Sequence, residues 1–268
     1  MLQLAQVSKH FGGVEVLRDV GFEVGAGQVF GLIGPNGAGK TTVFNLITGL
    51  IAPDQGSMRF MGQTLNGRAP HEITRLGIAR TFQNIRVFKG MSLIDNVVVG
   101  NHTHLKYSAA ALLFSLPDFR RQERAARERA HELLSWVGLD RKANDLADEL
   151  SYGDQRKLEL ARALATEPRL LLLDEPVAGM NTNEKTELMR VILDIAKRGF
   201  TIFMIEHDMR FVMGLCERIA VLNFGRIIAA GQPDEIKRNP DVIEAYLGRD
   251  DADEASATAG SSATGGAA

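Results

Sequence analysis

The stretch Gly34-Pro35-Asn36-Gly37-Ala38-Gly39-Lys40-Thr41-Thr42 concentrates three glycines, one lysine and two threonines in nine residues. That mixture can hold a polyphosphate. Glycines let the backbone curl until several N–H groups face one phosphate, and a helix starting beside it adds about half a positive charge. Lys40 can reach the β- and γ-phosphate oxygens. The Thr41 hydroxyl suits Mg2+, which takes oxygen ligands and keeps several waters. The pattern GxxxxGK(S/T) is short enough to arise by chance, so its setting decides. Here an apolar run, "VFGLI", leads into it, and Phe44, Ile47 and Ile51 follow at helical spacing until Pro53 ends the pattern. Strand, glycine loop and helix in that order make a nucleoside triphosphate site the specific reading.

A second apolar run, "LLLLDEP" at 170–176, ends in two carboxylates. In a parallel sheet its end lies at the carboxyl edge, where ligands bind. Asp174 is then expected to face the Mg2+ shell. Glu175, one residue on, points elsewhere and can take a proton from water attacking an in-line γ-phosphate. Together with the phosphate loop this implies an ATPase. Gln83 in "IARTFQNIRVF" and His207 in "FTIFMIEHDM" also stand just past apolar stretches. "ELSYGDQRKLELARAL", from Glu149 to Leu164, sets a Ser and a Gly at a helix start, the makings of another anion site. The phosphate it serves is not evident from the chain's own loop.

These residues need a scaffold. "LQLAQV" and "VLRDVGFEV" alternate as strands of an antiparallel patch, whereas "VFGLI" and "LLLLD" read as buried parallel strands. The expected fold class is α/β: a P-loop NTPase core with a mainly parallel sheet and an N-terminal antiparallel β sub-domain. Met209, Met213 and Cys216 are expected to pack into the core. "NFGRIIAAG" reads as a turn and strand, and Pro233 as the opening of a helix.

The chain has 268 residues, 45% of them hydrophobic, enough for one domain with a sub-domain. Lys and Arg total 31 against 33 Asp and Glu, so the net charge of −2 provides no general attraction to nucleic acid or anionic lipid. One cysteine excludes an internal disulfide framework and suits a reducing compartment. The start lacks a secretory core, and no apolar run approaches the roughly 18 residues of a membrane span. A cytoplasmic protein is expected. The final residues, 249–268, are acidic and then rich in Ala, Ser, Gly and Thr, and read as a disordered tail. His102 and His104 lack a third ligand for a metal, and "RRQERAARER" mixes signs like a solvated helix face.

Phe11, "GPNGAGKTT", "TFQN", "LSYGDQ", "LLLLDEP" and "IEHD", in this order, resemble the nucleotide-binding subunit of ABC transporters across residues 2–248. The resemblance implies a helical sub-domain inserted at about 88–165, and two subunits that sandwich two ATP molecules with Mg2+. Ser151 and the N–H of Gly153 would then close over the γ-phosphate held by the other subunit. Lys40, Glu175 and His207 carry catalysis in this reading, with His207 contacting the γ-phosphate. Phe11 would stack on adenine, and the loop from Gly34 to Thr42 would hold the phosphates. Gln83 would sense Mg2+, alongside Thr41 and Asp174, and meet the membrane subunit.

Two departures stand out. Tyr152 and Asp154 crowd positions that glycine usually holds, and Asn181 stands where the family generally has Asp. The spelling of "RTFQNIRVF", "LSYGDQRKLELARAL" and "NPDVIEAYLG" further resembles the larger of the two paralogous ATPases of branched-chain amino acid importers. That implies a second ATPase subunit, paralogous or identical, two membrane permease subunits and an external solute-binding protein. The chain would be peripheral on the inner face of the plasma membrane, with no nucleic-acid partner. The alternatives are a lipid or lipopolysaccharide exporter ATPase and a soluble non-transport ABC protein. The long bridge between Asn101 and Leu133 favours the importer; no long coiled coil or second cassette supports the soluble protein.

Overall fold

Strand residues that point to opposite faces of one sheet divide the core in two. The structure is a computed structural model that describes residues 1–101 and 117–246. His102, His104 and the tail 249–268 lie outside the described residues. The central sheet comprises β3 (Val29–Ile33), β6 (Ile78–Arg80), β7 (Leu170–Asp174), β8 (Thr201–Ile205), β9 (Arg218–Asn223) and β10 (Arg226–Gly231). Its order is β10-β9-β3-β8-β7-β6, and only β10 runs antiparallel. β3, β7 and β8 are buried along their whole length, which is why they read as unbroken apolar runs.

Alternate residues of these strands belong to separate clusters. Val29, Ile33, Leu171, Leu173, Ile202, Met204, Ile219 and Val221 pack on one face, against α3 (Leu93–Gly100), α4 (Pro117–Trp136), α5 (Tyr152–Leu164) and α6 (Thr182–Lys197). Phe30, Leu32, Leu170, Leu172, Phe203, Ile205, Ala220 and Leu222 face the other way. There they meet α1 (Lys40–Ile47) and a four-stranded antiparallel sheet of β1 (Leu2–Phe11), β2 (Val14–Val24), β4 (Gln55–Phe60) and β5 (Gln63–Thr64). Phe203 joins the layers, its ring lying edge-on to Phe22, Phe30 and Phe44 at centroid distances of 5.6, 5.3 and 4.9 Å. Each such buried ring contributes roughly 1.5–3 kcal/mol.

The first two strands run further than their alternation indicates, because Phe11 pairs with Val14 around a tight Gly12-Gly13 turn. α2 (Pro70–Arg75) leads into β6. Between β6 and β7, α3 packs on α4 and α5. Asn96 is fully buried there, accepting the Phe88 N–H at 2.8 Å and donating to the Phe88 carbonyl at 3.0 Å, and so fixes the connecting loop. The charged face of α4 forms ion pairs, Arg127 with Asp95 and Glu123 among them. α7 (Met209–Leu215) crosses close to β3: a Cβ at Gly31 would lie 2.9 Å from the Cys216 sulfur. Cys216 is buried, and Met209 and Met213 pack against the same cluster. Asn223 ends β9, β10 follows the Phe224-Gly225 turn, and Pro233 opens α8 (Pro233–Arg238).

Candidate active site

β3 delivers the chain into the phosphate loop, and the loop's shape depends on its glycines. Gly34 has φ +148°, and a Cβ there would lie 1.9 Å from the Leu222 carbonyl of β9. Gly39, with φ +107°, opens α1 and would strike Leu17 at 2.7 Å. No other residue type fits either place. Lys40 is buried and donates from Nζ to the carbonyls of Gly34 at 2.7 Å and Pro35 at 2.9 Å. Thr41 is exposed and Thr42 half-buried at the first turn of α1. Gly225 donates its N–H to the Ala38 carbonyl at 3.1 Å, fastening the loop to the β9–β10 turn. β2 adjoins both, the Val16 carbonyl lying 3.1 Å from the Gly39 Cβ position. Phe11 stands at the end of that hairpin, 47% exposed, with Lys9 Nζ 5.5 Å from its ring centre.

Three neighbouring strands present the polar residues. Gln83 follows β6, Glu175 follows β7 and His207 follows β8. Glu175 donates its N–H to the Ile205 carbonyl at 2.9 Å and then adopts φ +47°, a turn that separates its side chain from that of Asp174. Its Oε2 accepts from Gln83 Nε2 at 2.8 Å, and its Oε1 lies 4.0 Å from His207 Nδ1. The fold therefore gathers these three side chains at one point of the sheet edge.

Asp174 has a partner that sequence reasoning missed. Its Oδ2 accepts from Arg80 Nη2 at 2.6 Å, both side chains being less than a tenth exposed. Arg80 Nη1 also donates to Asn45 of α1 at 2.8 Å and to Thr48, which caps it, at 3.3 Å, and the guanidinium lies 5.5 and 5.2 Å from the ring centres of Phe44 and Phe82. A carboxylate this deep needs such a cation. Arg80→Met, which leaves Asp174 buried beside an apolar chain, is expected to cost about 3–5 kcal/mol. Urea denaturation measures it; an unchanged midpoint would show that the pair carries no stability.

α5 begins at Ser151, whose exposed Oγ accepts the Asp154 N–H at 3.2 Å. Gly153 is buried against Glu184, where a Cβ would come to 3.1 Å. The Tyr152 hydroxyl accepts from Arg156 at 3.1 Å and its ring lies beside Gly179. Asp154 bonds Lys142 and Lys157; burial works against the charge, yet these lysines hold its carboxyl below the usual range. Arg156, also unforeseen, reaches across to the carbonyls of Phe82, at 2.7 Å, and Gln83. Glu159 beside it accepts the Arg86 N–H at 3.4 Å, and burial pushes its carboxyl up. The helix bearing Ser151 thus grips the loop bearing Gln83. Asn181 caps α6 by accepting the N–H groups of Asn183 and Glu184, each at 3.0 Å, so it caps without a charge.

The residues fit a magnesium nucleotide. Among the described residues no group of three His, Cys, Asp or Glu could hold a metal. Mg2+ needs none, taking one or two protein oxygens beside phosphates and water, and Thr41, Gln83 and Asp174 are oxygen-bearing side chains. A cavity of about 480 Å³ borders the phosphate loop on the β10 side, but Asp241 and Glu244 in its wall disfavour a triphosphate there.

The same architecture occurs in known proteins. The family model described as ABC transporter matches residues 17–178, and that described as Branched-chain amino acid ATP-binding cassette transporter matches 226–252. The chain is 45% identical over 249 residues to the high-affinity branched-chain amino acid transport ATP-binding protein BraF of Pseudomonas aeruginosa, covering 92% of this chain and 98% of the relative. LivG of Escherichia coli, with the same description, is 44% identical over the same shares. Among solved structures, the ADP conformation of MJ1267, an ATP-binding cassette of an ABC transporter, superposes with a TM-score of 0.80 at 30% identity, covering 92% of this chain and 98% of that one. The chain belongs to the ABC transporter family. Within it, the match is to the branched-chain amino acid ATP-binding cassettes.

Proposed function

We propose that this chain is the ATP-hydrolysing subunit of an importer of branched-chain amino acids. The observation that carries the hydrolase reading is the meeting of Gln83, Glu175 and His207 beside the buried Asp174, at the edge of three adjacent parallel strands. Glu175 takes the proton of the attacking water, and Lys40 and His207 stabilise the charge of the transferring phosphoryl group. Phe11 offers its exposed ring to adenine. Thr41, Gln83 and Asp174 are the side chains that would hold Mg2+, which when bound would supply positive charge to the phosphate oxygens.

The site is completed by a second ATPase subunit. α1 packs on one face of the central sheet and α5 on the other, so Ser151 is presented away from the chain's own loop helix. Ser151 and the Gly153 N–H serve the partner's nucleotide. Membrane permease subunits dock on a groove of about 580 Å³ between Arg86, Val87 and Phe88 and the α3–α5 surface at Val99 and Arg162. The chain is accordingly peripheral on the inner face of the membrane; among the described residues no helix is long and apolar enough to cross it. The names of the relatives support the cargo. Co-expression with the candidate permease pair and reconstitution in liposomes tests this. Leucine, isoleucine or valine, delivered by the external binding protein, is expected to stimulate ATP hydrolysis. Failure of the chain to co-purify with the permeases would overturn the importer assignment, and stimulation by unrelated solutes alone would overturn the cargo.

A further inference from the structure

We propose that Glu206 is a positioning residue: its one buried carboxylate ties the segment after Glu175 to the segment bearing His207 and so sets their separation. Glu206 directly follows β8 and is fully buried. Its Oε1 accepts the Val177 N–H at 3.0 Å, and its Oε2 accepts the N–H groups of His207 at 2.9 Å and Asp208 at 3.3 Å. Val177 lies two residues beyond Glu175. Each oxygen therefore holds a different loop, and the two loops carry the carboxylate and imidazole that stand 4.0 Å apart.

The side-chain type matters. Only a carboxylate offers acceptors in both directions; glutamine turns one oxygen into a donor aimed at N–H groups, and an apolar residue orphans all three. Burying the carboxylate is costly, and it pushes the acid up from its ordinary value despite the three N–H groups. Glu206 Oε2 also lies 3.8 Å from His207 Nδ1, the ring nitrogen nearer to Glu175 as well. Both carboxylates thus lie on the Nδ1 side of the ring. Glu206 acts through His207 and Glu175, without itself touching substrate.

The inference rests on the hydrolase reading of this site, and a double-mutant cycle in the full chain tests it. Glu206→Gln is expected to lower kcat roughly 10- to 100-fold, the range of a small misplacement of reacting groups. Affinity for a fluorescent ATP analogue should stay within about threefold, since binding relies on the phosphate loop. In a His207→Ala background the same change should cost several-fold less, because only its hold on the segment after Glu175 is left to matter. Amide exchange at Val177, His207 and Asp208 should accelerate while that of β8 stays slow. An equal loss in both backgrounds, or unchanged exchange at all three amides, overturns the proposal. Should Glu206→Gln fail to fold, Glu206→Asp keeps the charge, shortens the reach and is read in the same cycle. If the wild type hydrolyses nothing, the hydrolase reading fails, and the exchange measurement still decides whether Glu206 ties the two loops.

Discussion

Glu175→Gln is expected to bind ATP as tightly as the wild type while its hydrolysis falls by about 10²–10⁴, the usual worth of a positioned general base. The amide has the same length, tolerates the same φ of +47° and can still accept from Gln83, so the local geometry survives. What it loses is the ability to accept a proton from water. Without turnover, ATP should hold two copies together, and light scattering with and without the nucleotide reads that directly. Normal turnover by this variant would remove Glu175 from the role of base. It would also leave the convergence of Gln83 and His207 on that carboxylate without a catalytic purpose.

Ser151→Arg is expected to lower hydrolysis about 10²–10³-fold, the cost of removing one preorganised donor to the developing charge. Nucleotide binding by the same chain should be unaffected, because the loop and Lys40 lie across the central sheet from α5. Losing the cap costs about 1 kcal/mol, so Ser151→Ala, which loses the cap without adding bulk, separates stability from obstruction. A sharper measurement mixes Ser151→Arg with Glu175→Gln in a self-paired assembly. One of the two interfaces then combines an intact Glu175 with an intact Ser151, and activity absent from either variant should return. A mixture that stays inactive would count against completion of the site by a neighbour.

How much of this was legible in the sequence depended on how far apart the cooperating residues lie. The phosphate loop and the end of β7 each state their chemistry in consecutive residues, with a buried strand leading in. β6, three residues long in "GIARTFQ", gives too short a run for periodicity to register. Its Arg80 finds Asp174 across 94 positions and Arg156 finds the Gln83 carbonyl across 73, pairings that local spacing does not encode. Glu206 was nearer to hand. It ends an apolar run as Asp174 does, the one signal that local sequence offers for it. The direction of the Tyr152 ring, towards Arg156 and Gly179, is likewise set by tertiary contacts that the spelling of the motif does not encode. The role proposed for Phe11 rests on resemblance alone, since one exposed ring at a hairpin end has no spacing signature.

The placement of α1 and α5 on opposite faces of one sheet has a genetic consequence. If each copy lends its serine to a neighbour and its carboxylate to itself, a damaged copy does more harm than a missing one. It occupies a place beside a sound copy and spoils a catalytic centre that the sound copy half owns. Plasmid-borne Ser151→Arg in a normal cell should therefore behave as a dominant-negative allele, its severity rising with dosage.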